Sequence, residues 1–220
     1  MKLIKLFTQM TAAVALLISA SLPATEVQKF TDPYEMISVV ADQAFTRLAA
    51  EKDNIMADPE LMRTMVNEEL LPYIDVRYAA FRVIGNHIRN TTEQERDAFV
   101  IAFQEYMIST YAGTLTLYRD QQVIIAPAQD VGNRQIATVR ARVIDPGKPD
   151  IVIEFKLRRA RDSEYWQVFD MVAEGISLLD SKRAELAGMI RQQGLSRVTE
   201  LLQERAKTPI EPAKPDVGDE

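Results

Sequence analysis

YWQVFDMVAEGIS, residues 165–177, is the stretch of this 220-residue chain that decides its fold. Its side chains alternate as in a β-strand, yet both faces of that strand are apolar. A strand with one face in water alternates apolar and polar residues, so this strand is expected to be covered on both sides or to border an apolar space. The two predicted faces carry, in turn, Trp166, Val168 and Val172, and Tyr165, Phe169 and Met171.

The end of the same stretch predicts a turn into a helix. Gly175 interrupts the strand, because a glycine side chain offers nothing to pack against neighbouring strands. Ser177 or Asp180 can then cap the first turn of the following helix. Two helices, separated by a glycine, are expected from there on: 178–192 and 195–205.

Three more strands precede this one, in a period-two pattern that begins after residue 120. In the second of the four, Val139 and Val143 share a face opposite Arg140 and Arg142. Turns that contain glycine, proline, asparagine or aspartate separate the strands, which is typical of hairpins. One face of the predicted antiparallel sheet is therefore apolar and the other charged. The expected strands are 123–125, 136–144, 151–157 and 165–172.

The first half of the chain predicts helices. Asp32 and Asp58 each precede a proline, an arrangement that is typical of a helix start. Thr92 and Glu95 form a capping-box pattern for a long helix with large apolar residues at steps of three and four. The whole pattern predicts an α+β fold: a helical half packs on the apolar face of a curved four-stranded antiparallel sheet. The large residues of the long helix are Phe99, Phe103, Met107 and Tyr111.

Both ends of the chain are expected to lie outside the folded domain. Residues 1–21 combine a basic start, an apolar run and small residues, which predicts a secretory signal peptide cleaved between residues 21 and 25. An uncleaved membrane anchor is the alternative. Residues 26–205 are expected to form a single domain, and residues 206–220, rich in proline and charge, a disordered tail.

The composition limits the chemistry that the chain can perform. Cysteine is absent, which excludes a thiol nucleophile, a thiolate metal site and a disulfide framework. The formal net charge of −6 disfavours a nucleic acid partner. His87, the one histidine, lies in an arginine-flanked turn where a solvated side chain is expected rather than a catalytic base. Neither a metal site nor a cofactor is predicted.

Asp170 and Glu174 are the best candidates for catalysis. Two carboxylates beside an apolar space can divide the roles of general acid and general base. The alternative, which we favour, is that they bind backbone amides at the strand-to-helix turn or pair with Arg183. Asp75 is expected to cap a helix. The basic run Arg158, Arg159 and Arg161 is expected to be a solvated hairpin, with a phosphate clamp as the alternative.

The pattern Trp-x-Val-Phe-Asp-x-x-x-Glu-Gly-Ile-Ser at 166–177 resembles the signature of the MlaC family. These are periplasmic phospholipid-binding proteins of the Mla lipid-transport pathway, also known as toluene-tolerance auxiliary proteins. Four more segments resemble the family in the same order: DPY at 32–34, ELLPYID at 69–75, FRVIG at 81–85, and TEQER at 92–96 with Phe99, Phe103, Tyr111 and Tyr118 behind it. The chain departs from the family at 86–88 and at 181–183, where many members have Asn-Tyr-Arg and this chain has Ser-Lys-Arg.

The resemblance implies a function as well as a fold. It implies an apolar cavity between sheet and helices that holds the acyl chains of a bound phospholipid, the cargo of a periplasmic shuttle that maintains outer-membrane lipid asymmetry. The implied partners are an inner-membrane ABC transporter complex with its MCE-domain protein MlaD, and the outer-membrane lipoprotein MlaA with a porin. A small-molecule enzyme using Asp170 or Glu174 and a structural periplasmic adaptor are the alternatives.

The residues that would line the cavity come from both halves of the predicted fold. Periodicity alone favours plain core for the apolar stripe of the long helix, and the resemblance favours a lipid cavity. The residues expected to line or border it are Val76, Phe81, Ile84, Phe99, Phe103, Met107, Tyr111, Val139, Val143, Ile153, Phe155, Trp166, Val168 and Val172.

Overall fold

The structure is a computed structural model that describes residues 27–118, 121–145 and 147–211. The predicted signal peptide lies outside these residues, as do residues 212–220 of the predicted tail. None of the helices in this part of the chain is both long and apolar enough to cross a membrane.

The described chain contains six α-helices. They are α1 (Pro33–Ala50), α2 (Lys52–Ala57), α3 (Leu61–Met65), α4 (Val76–Ile84), α5 (Glu93–Leu115) and α6 (Leu178–Ala206). Shorter turns join them: a π-helical turn, Val66–Leu70, and a 3-10 turn, Leu71–Tyr73, follow α3, and a second 3-10 turn, Gly85–Asn90, follows α4.

The helix starts predicted at Asp32 and Thr92 are confirmed by their capping bonds, whereas the helix predicted after Asp58 begins at Leu61 without a side-chain cap. Asp32 Oδ1 accepts hydrogen bonds from the backbone N–H groups of Tyr34 and Glu35, at 2.7 and 2.9 Å. At α5, Thr92 Oγ1 accepts from the N–H of Glu95 at 3.2 Å, and Glu95 Oε2 accepts from the N–H of Thr92 at 2.8 Å. Each cap satisfies amides that the first helical turn leaves without a partner.

Helix α6 turns back on itself at Gly194. This residue has φ 81° and ψ 167°, a conformation that is sterically unfavourable for residues with a Cβ atom. Glycine has no Cβ and therefore permits the break. The two halves match the two predicted helices. Arg205, in the second half, donates a hydrogen bond of 2.6 Å to Glu185 in the first, although a straight helix would separate them by about 30 Å.

The sheet is antiparallel throughout and has five strands in the order β1-β2-β3-β4-β5. They are β1 (Gln122–Ile125), β2 (Ile136–Ile144), β3 (Ile151–Arg158), β4 (Gln167–Ala173) and β5 (Ile176–Ser177). The four predicted strands are confirmed, and β5 is an addition of two residues, too short to show a pattern in the sequence. Glu174 and Gly175, with φ of 49° and 79°, make the tight turn that joins β4 to β5.

A β-bulge in β4 changes which side chains share a face. Leu157 of β3 pairs with Val168, but Lys156 pairs with Asp170, so Phe169 is an extra residue. Beyond the bulge Phe155 pairs with Met171. Because paired residues of antiparallel strands point to the same side, Met171 shares the apolar face with Val168. The predicted faces are therefore wrong for two residues. Met171 lies on the side of Val168 instead of the opposite side, and Val172, predicted on the side of Trp166 and Val168, pairs with Glu154 on the other face.

The buried apolar residues form three clusters in the described chain. The helical cluster joins α4, α5, α6 and Phe169, the sheet cluster joins α1 to the apolar face of β2, β3 and β4, and the terminal cluster joins α1, α3 and α5 to Ile210. Trp166 belongs to the sheet cluster and Phe169 to the helical cluster. The predicted strand thus packs into two separate clusters, as expected of a strand without one face in water.

The packed part of the chain extends beyond residue 205. Ile210 is buried in the terminal cluster, and its N–H donates to Glu60 at 2.7 Å. Arg63 donates to the carbonyl of Thr208 at 2.6 Å. Residues 207–211 therefore pack on the start of α3, within the segment that was expected to be a disordered tail.

Candidate functional site

An open groove of about 280 Å³ lies between α5, the first two turns of α6 and β4. Its walls are mainly apolar and aromatic, and its polar side chains gather towards α6. Its lining comprises Ala79, Phe103, Tyr106, Met107, Thr110, Tyr111, Phe169, Asp170, Met171, Leu178, Leu179, Ser181, Lys182 and Glu185. Clefts of this kind, with an apolar lining and a few convergent polar groups, are the usual form of small-molecule sites.

Helix α5 supplies one wall of the groove through three of the residues that the sequence predicted. Phe103, Met107 and Tyr111 follow one another at four-residue steps, so they stand on one face of the helix. Burial, together with the negative charge of Asp170, raises the pKa of Tyr111 to about 12. The Tyr111 hydroxyl therefore stays neutral at physiological pH and adds no charge to the apolar wall.

Strand β4 supplies the opposite wall through Phe169 and Met171. The bulge sends the ring of Phe169 into the helical cluster, where it meets Tyr78 edge-on with the ring centroids 5.2 Å apart. Met171 lies on the apolar face of the sheet, beside Phe155. The bulge thus lets one strand contribute both to the packed helical cluster and to the groove.

The other predicted residues fall into three groups. One group belongs to the helical cluster or packs against it: Val76, Phe81, Ile84 and Phe99. A second belongs to the sheet cluster or packs against it: Val139, Phe155, Trp166 and Val168. A third lies outside the three clusters: Val143, Ile153 and Val172. The structure thus brings Phe103, Met107 and Tyr111 together at the groove, and the other eleven are not part of its lining.

An apolar strip continues from the groove along the sheet to its outer end. Met171 pairs with Phe155, and Ile153 stands two residues from Phe155 on the same face. The strip consists of Val123, Val143, Ile151, Ile153 and Ile176, which the register places on that face. Ile151 and Ile176 are 46% and 61% exposed. The strip therefore adds apolar surface beside the walls of the groove.

Lys182 and Glu185 form the polar end of the groove together with Tyr106. The ammonium of Lys182 donates to the Tyr106 hydroxyl at 2.8 Å and to Glu185 Oε2. Arg205 donates to the other carboxylate oxygen, Glu185 Oε1, at 2.6 Å. Burial lowers the pKa of Lys182, but its hydrogen bonds to Glu185 and Tyr106 outweigh that effect and raise the pKa above its usual value.

Sequence reasoning missed this polar end. Tyr106 and Lys182 are 76 positions apart in the chain, and no spacing pattern connects them. The one available signal was at 181–183, where the chain departs from the family pattern. Ala79, Thr110, Leu178 and Leu179 also line the groove without having been predicted.

Asp170, a candidate for catalysis, lies at the floor of the groove and is held there by hydrogen bonds. Its carboxylate accepts hydrogen bonds from Ser177 Oγ at 2.8 Å and from the backbone N–H of Leu179 at 3.1 Å. Lys156 Nζ lies 3.4 Å from it. Glu174 accepts from the N–H of Val152 at 2.6 Å. Both carboxylates thus bind backbone amides, the arrangement favoured above, and Asp170 fixes the start of α6 against β4.

Asp75 and the basic run at 158–161 also hold structural positions. Asp75 caps α4 by accepting from the N–H of Tyr78 at 3.0 Å, and its carboxylate pairs with Arg158. Arg158 lies over the ring of Tyr78, 4.2 Å from its centroid. Arg159 donates to the backbone carbonyls of Gly132 and Arg134. Two of the arginines in the run therefore tie the hairpin to its neighbours.

A second cavity, of about 350 Å³, has a different lining. It lies between the start of α1 and β2, and its polar lining residues include Arg134, Thr138, Arg140 and Glu154. Arg140 and Glu154 pair across it at 2.7 Å. No group of three or more possible metal ligands occurs within residues 27–118, 121–145 and 147–211. The first groove is the one suited to an apolar ligand.

Comparisons with known proteins agree on one family. The family model described as MlaC protein matches residues 38–204. The intermembrane phospholipid transport system binding protein MlaC of Haemophilus influenzae is 32% identical over 181 residues, which cover 82% of this chain and 85% of that protein. A phospholipid-binding protein from Ralstonia solanacearum, solved in complex with a phospholipid, has a TM-score of 0.70 at 19% identity, covering 80% of this chain and 97% of that one. The last likeness bears on the fold.

Proposed function

The chain belongs to the MlaC family, and on that premise we propose that it is a phospholipid carrier that holds acyl chains in an apolar site and moves lipid between membranes. The groove is the observation that carries this proposal. Phe103, Met107 and Met171 give it apolar walls, and the apolar strip extends those walls along the sheet. The solved Ralstonia relative, which shares the fold, is described as a phospholipid complex.

The acyl chains need more room than the groove alone provides. Its volume of about 280 Å³ lies at the lower limit of pockets for drug-sized molecules, roughly 300–1,000 Å³. A two-chain phospholipid is larger than such molecules. We therefore propose that the tails also use the apolar strip beside the groove. Phe103, Met107 and Tyr111 at the groove and Val143 and Ile153 on the strip are the predicted residues that already fit this lining. The assignment of the other nine to the lining is a proposal that requires the packed clusters to open around the tails.

The physics of such a carrier is an exchange between two apolar environments. Moving acyl chains out of water contributes about 0.8 kcal/mol for each methylene. That term applies equally to the bilayer and to the apolar site, so it nearly cancels when lipid passes from one to the other. A carrier of this kind needs no catalytic group. It does need docking partners that lift the lipid out of a membrane, because the net driving force is small.

Membership of the family supports a proposal for the partners and the compartment. We propose that the chain exchanges lipid with an inner-membrane ABC transporter complex through MlaD and with outer-membrane MlaA and its porin. The predicted signal peptide supports a periplasmic location. The bound phospholipid is then cargo rather than cofactor, and the proposed outcome is the maintenance of outer-membrane lipid asymmetry.

The positions of the acids favour a carrier over an enzyme. Asp170 is engaged by Ser177, Leu179 and Lys156, and Glu174 is engaged by Val152. A general base needs its lone pairs directed at a substrate. These carboxylates direct them at the protein backbone instead, which supports the assignment of no catalytic residue. A purely structural adaptor would have no use for an open apolar groove.

The test is native mass spectrometry of protein purified from cells. Met107→Trp places a larger side chain in the groove, whereas Ile101→Trp places the same side chain on the exposed face of α5, where Ile101 is 59% exposed. We expect the native protein and Ile101→Trp to carry phospholipid and Met107→Trp to carry much less. Equal lipid content in folded Met107→Trp, or no lipid in the native protein, would contradict the proposal.

A further inference from the structure

Lys182 is the one cation among the described residues that line the groove. The other lining residues are apolar or aromatic, or carry neutral or acidic groups. The side chain of Lys182 is 20% exposed, so its ammonium stands at the border between the groove and water. It also lies over the ring of Tyr106, 4.7 Å from the centroid, which holds it towards α5.

The surroundings of Lys182 form a small cationic cluster that we call the clasp: Tyr106, Lys182, Glu185 and Arg205. The two oxygens of Glu185 lie between the cations, since Oε2 faces Lys182 and Oε1 faces Arg205. The bend at Gly194 creates this arrangement by returning Arg205 to the groove end of α6. Two cations and one carboxylate leave the clasp with one net positive charge, on a chain of net charge −6.

We propose that the clasp binds the phosphodiester of the phospholipid whose acyl chains lie in the groove, with Lys182 as the principal contact. This inference rests on the proposed function. Lys182 uses two of its three N–H groups for Tyr106 and Glu185, which leaves the third for a phosphate oxygen. A phosphodiester carries one negative charge, which balances the charge of the clasp. Glu185 keeps Arg205 as a partner when Lys182 turns towards the phosphate.

The clasp therefore selects a chemical class rather than a particular head group. The phosphodiester is common to all glycerophospholipids, and it is absent from diacylglycerol, which has the same tails. Hydrogen bonds between an ammonium and a phosphate are stronger than neutral ones. The protein is then expected to hold phospholipids of different head groups with similar affinity and diacylglycerol more weakly.

The experiment compares two lipids with identical tails. The full chain, stripped of lipid, is incubated with phosphatidylcholine vesicles that contain fluorescent-tailed phosphatidylglycerol or fluorescent-tailed diacylglycerol, and the protein-bound fluorescence is measured after the vesicles are removed. For Lys182→Ala we expect the apparent affinity for phosphatidylglycerol to fall roughly tenfold, with that for diacylglycerol unchanged. Lys182→Arg should restore phosphatidylglycerol binding. Lys207→Ala, which removes an exposed cation just after α6, is the matched control and should bind as the native protein does.

Three results would overturn the inference. An equal loss of both lipids in Lys182→Ala would mean that the clasp acts only on the shape of the groove, and unchanged binding would mean that it contacts no phosphate. The third result combines two measurements. If the native protein binds both lipids equally, and a ³¹P NMR titration shows that inorganic phosphate binds in a way that depends on Lys182, the clasp is a site for free phosphate instead. If the native protein takes up neither lipid, the proposed function itself fails, and this inference fails with it.

Discussion

The sheet cluster and the groove are built from similar apolar residues, yet one is packed solid and the other is open. Under α1, Val139 and Leu157 are fully buried and Trp166 is 2% exposed. Met107 and Met171, by contrast, border an open groove of about 280 Å³. Apolar composition alone therefore does not distinguish a core from a binding site.

Polar anchors explain much of the difference between the two regions. In the sheet cluster the indole N–H of Trp166 donates to the carbonyl of Thr31 at 2.9 Å, and its backbone N–H donates to Phe30 at 3.0 Å. These bonds hold the segment before α1 against the sheet. At the groove the anchors lie at its edges instead, with Asp170 at the floor and Lys182 at the polar end. The apolar side chains that line the groove, such as Phe103, Met107 and Met171, make no such bonds and can yield to a ligand.

The largest expected effect is a loss of stability in the solid region. Leu157→Ala should lower the free energy of unfolding by about 3 kcal/mol, because it leaves a cavity in a close-packed cluster. Urea denaturation followed by circular dichroism measures this loss. Val152→Ala, on the same strand but 40% exposed, is the control and should cost little. A small effect of Leu157→Ala would remove the contrast between the two regions.

Asp170→Asn tests whether the floor of the groove is structural. Losing the carboxylate weakens the bonds to Ser177 Oγ and the N–H of Leu179 and the pairing with Lys156, and should cost about 2 kcal/mol. Urea denaturation again measures this loss. Asp180→Asn is the control, because Asp180 is an exposed aspartate in the first turn of α6. Full stability together with complete loss of an activity would instead favour the enzyme alternative.

Met107→Ala should be milder than the substitution in the solid region. Its side chain borders open space on one side, so the protein loses about 1.5 kcal/mol of apolar burial without enclosing a new cavity. The measurement is the difference between its urea midpoint and that of Ile101→Ala on the exposed face of the same helix. A loss equal to that of Leu157→Ala would show that the groove is packed as tightly as the sheet cluster.

The smallest expected effect is a pH dependence at the clasp. Burial raises the pKa of Glu185, but hydrogen bonds from Lys182 and Arg205 outweigh it and lower the pKa below the usual value. A lowered pKa in the folded state means that Glu185 stabilises the fold above its ordinary pKa, and that this contribution disappears as the pH falls through the folded value. The urea midpoint should therefore fall less steeply on acidification in Glu185→Gln than in the native protein. Parallel curves would argue against the clasp as an ion-paired unit.

Local signals made the helix starts and most strands predictable. The caps at Asp32 and Thr92 act within three residues of themselves, so the sequence contains all that they need. The capping of α6 by Ser177 was predictable for the same reason. The α+β fold class and the family resemblance rested on such short-range patterns, and both are confirmed.

Features that depend on pairing between strands were not predictable. The bulge at Phe169 arises from the register between β3 and β4, and it reversed the expected side of Val172. Strict alternation of two faces holds only while the ladder is regular. The packing of Ile210 on α3 was missed for a related reason, since its partner Glu60 is 150 positions away.

The sequence by itself determined the elements of this protein, its family and the apolar character of both faces of β4. Tertiary structure alone decided which apolar residues are buried in a solid cluster and which border a groove, and it alone brought Tyr106, Lys182 and Arg205 to one place. The reason is physical. Periodicity records that a side chain avoids water, but whether protein or ligand covers that side chain depends on how closely distant elements approach.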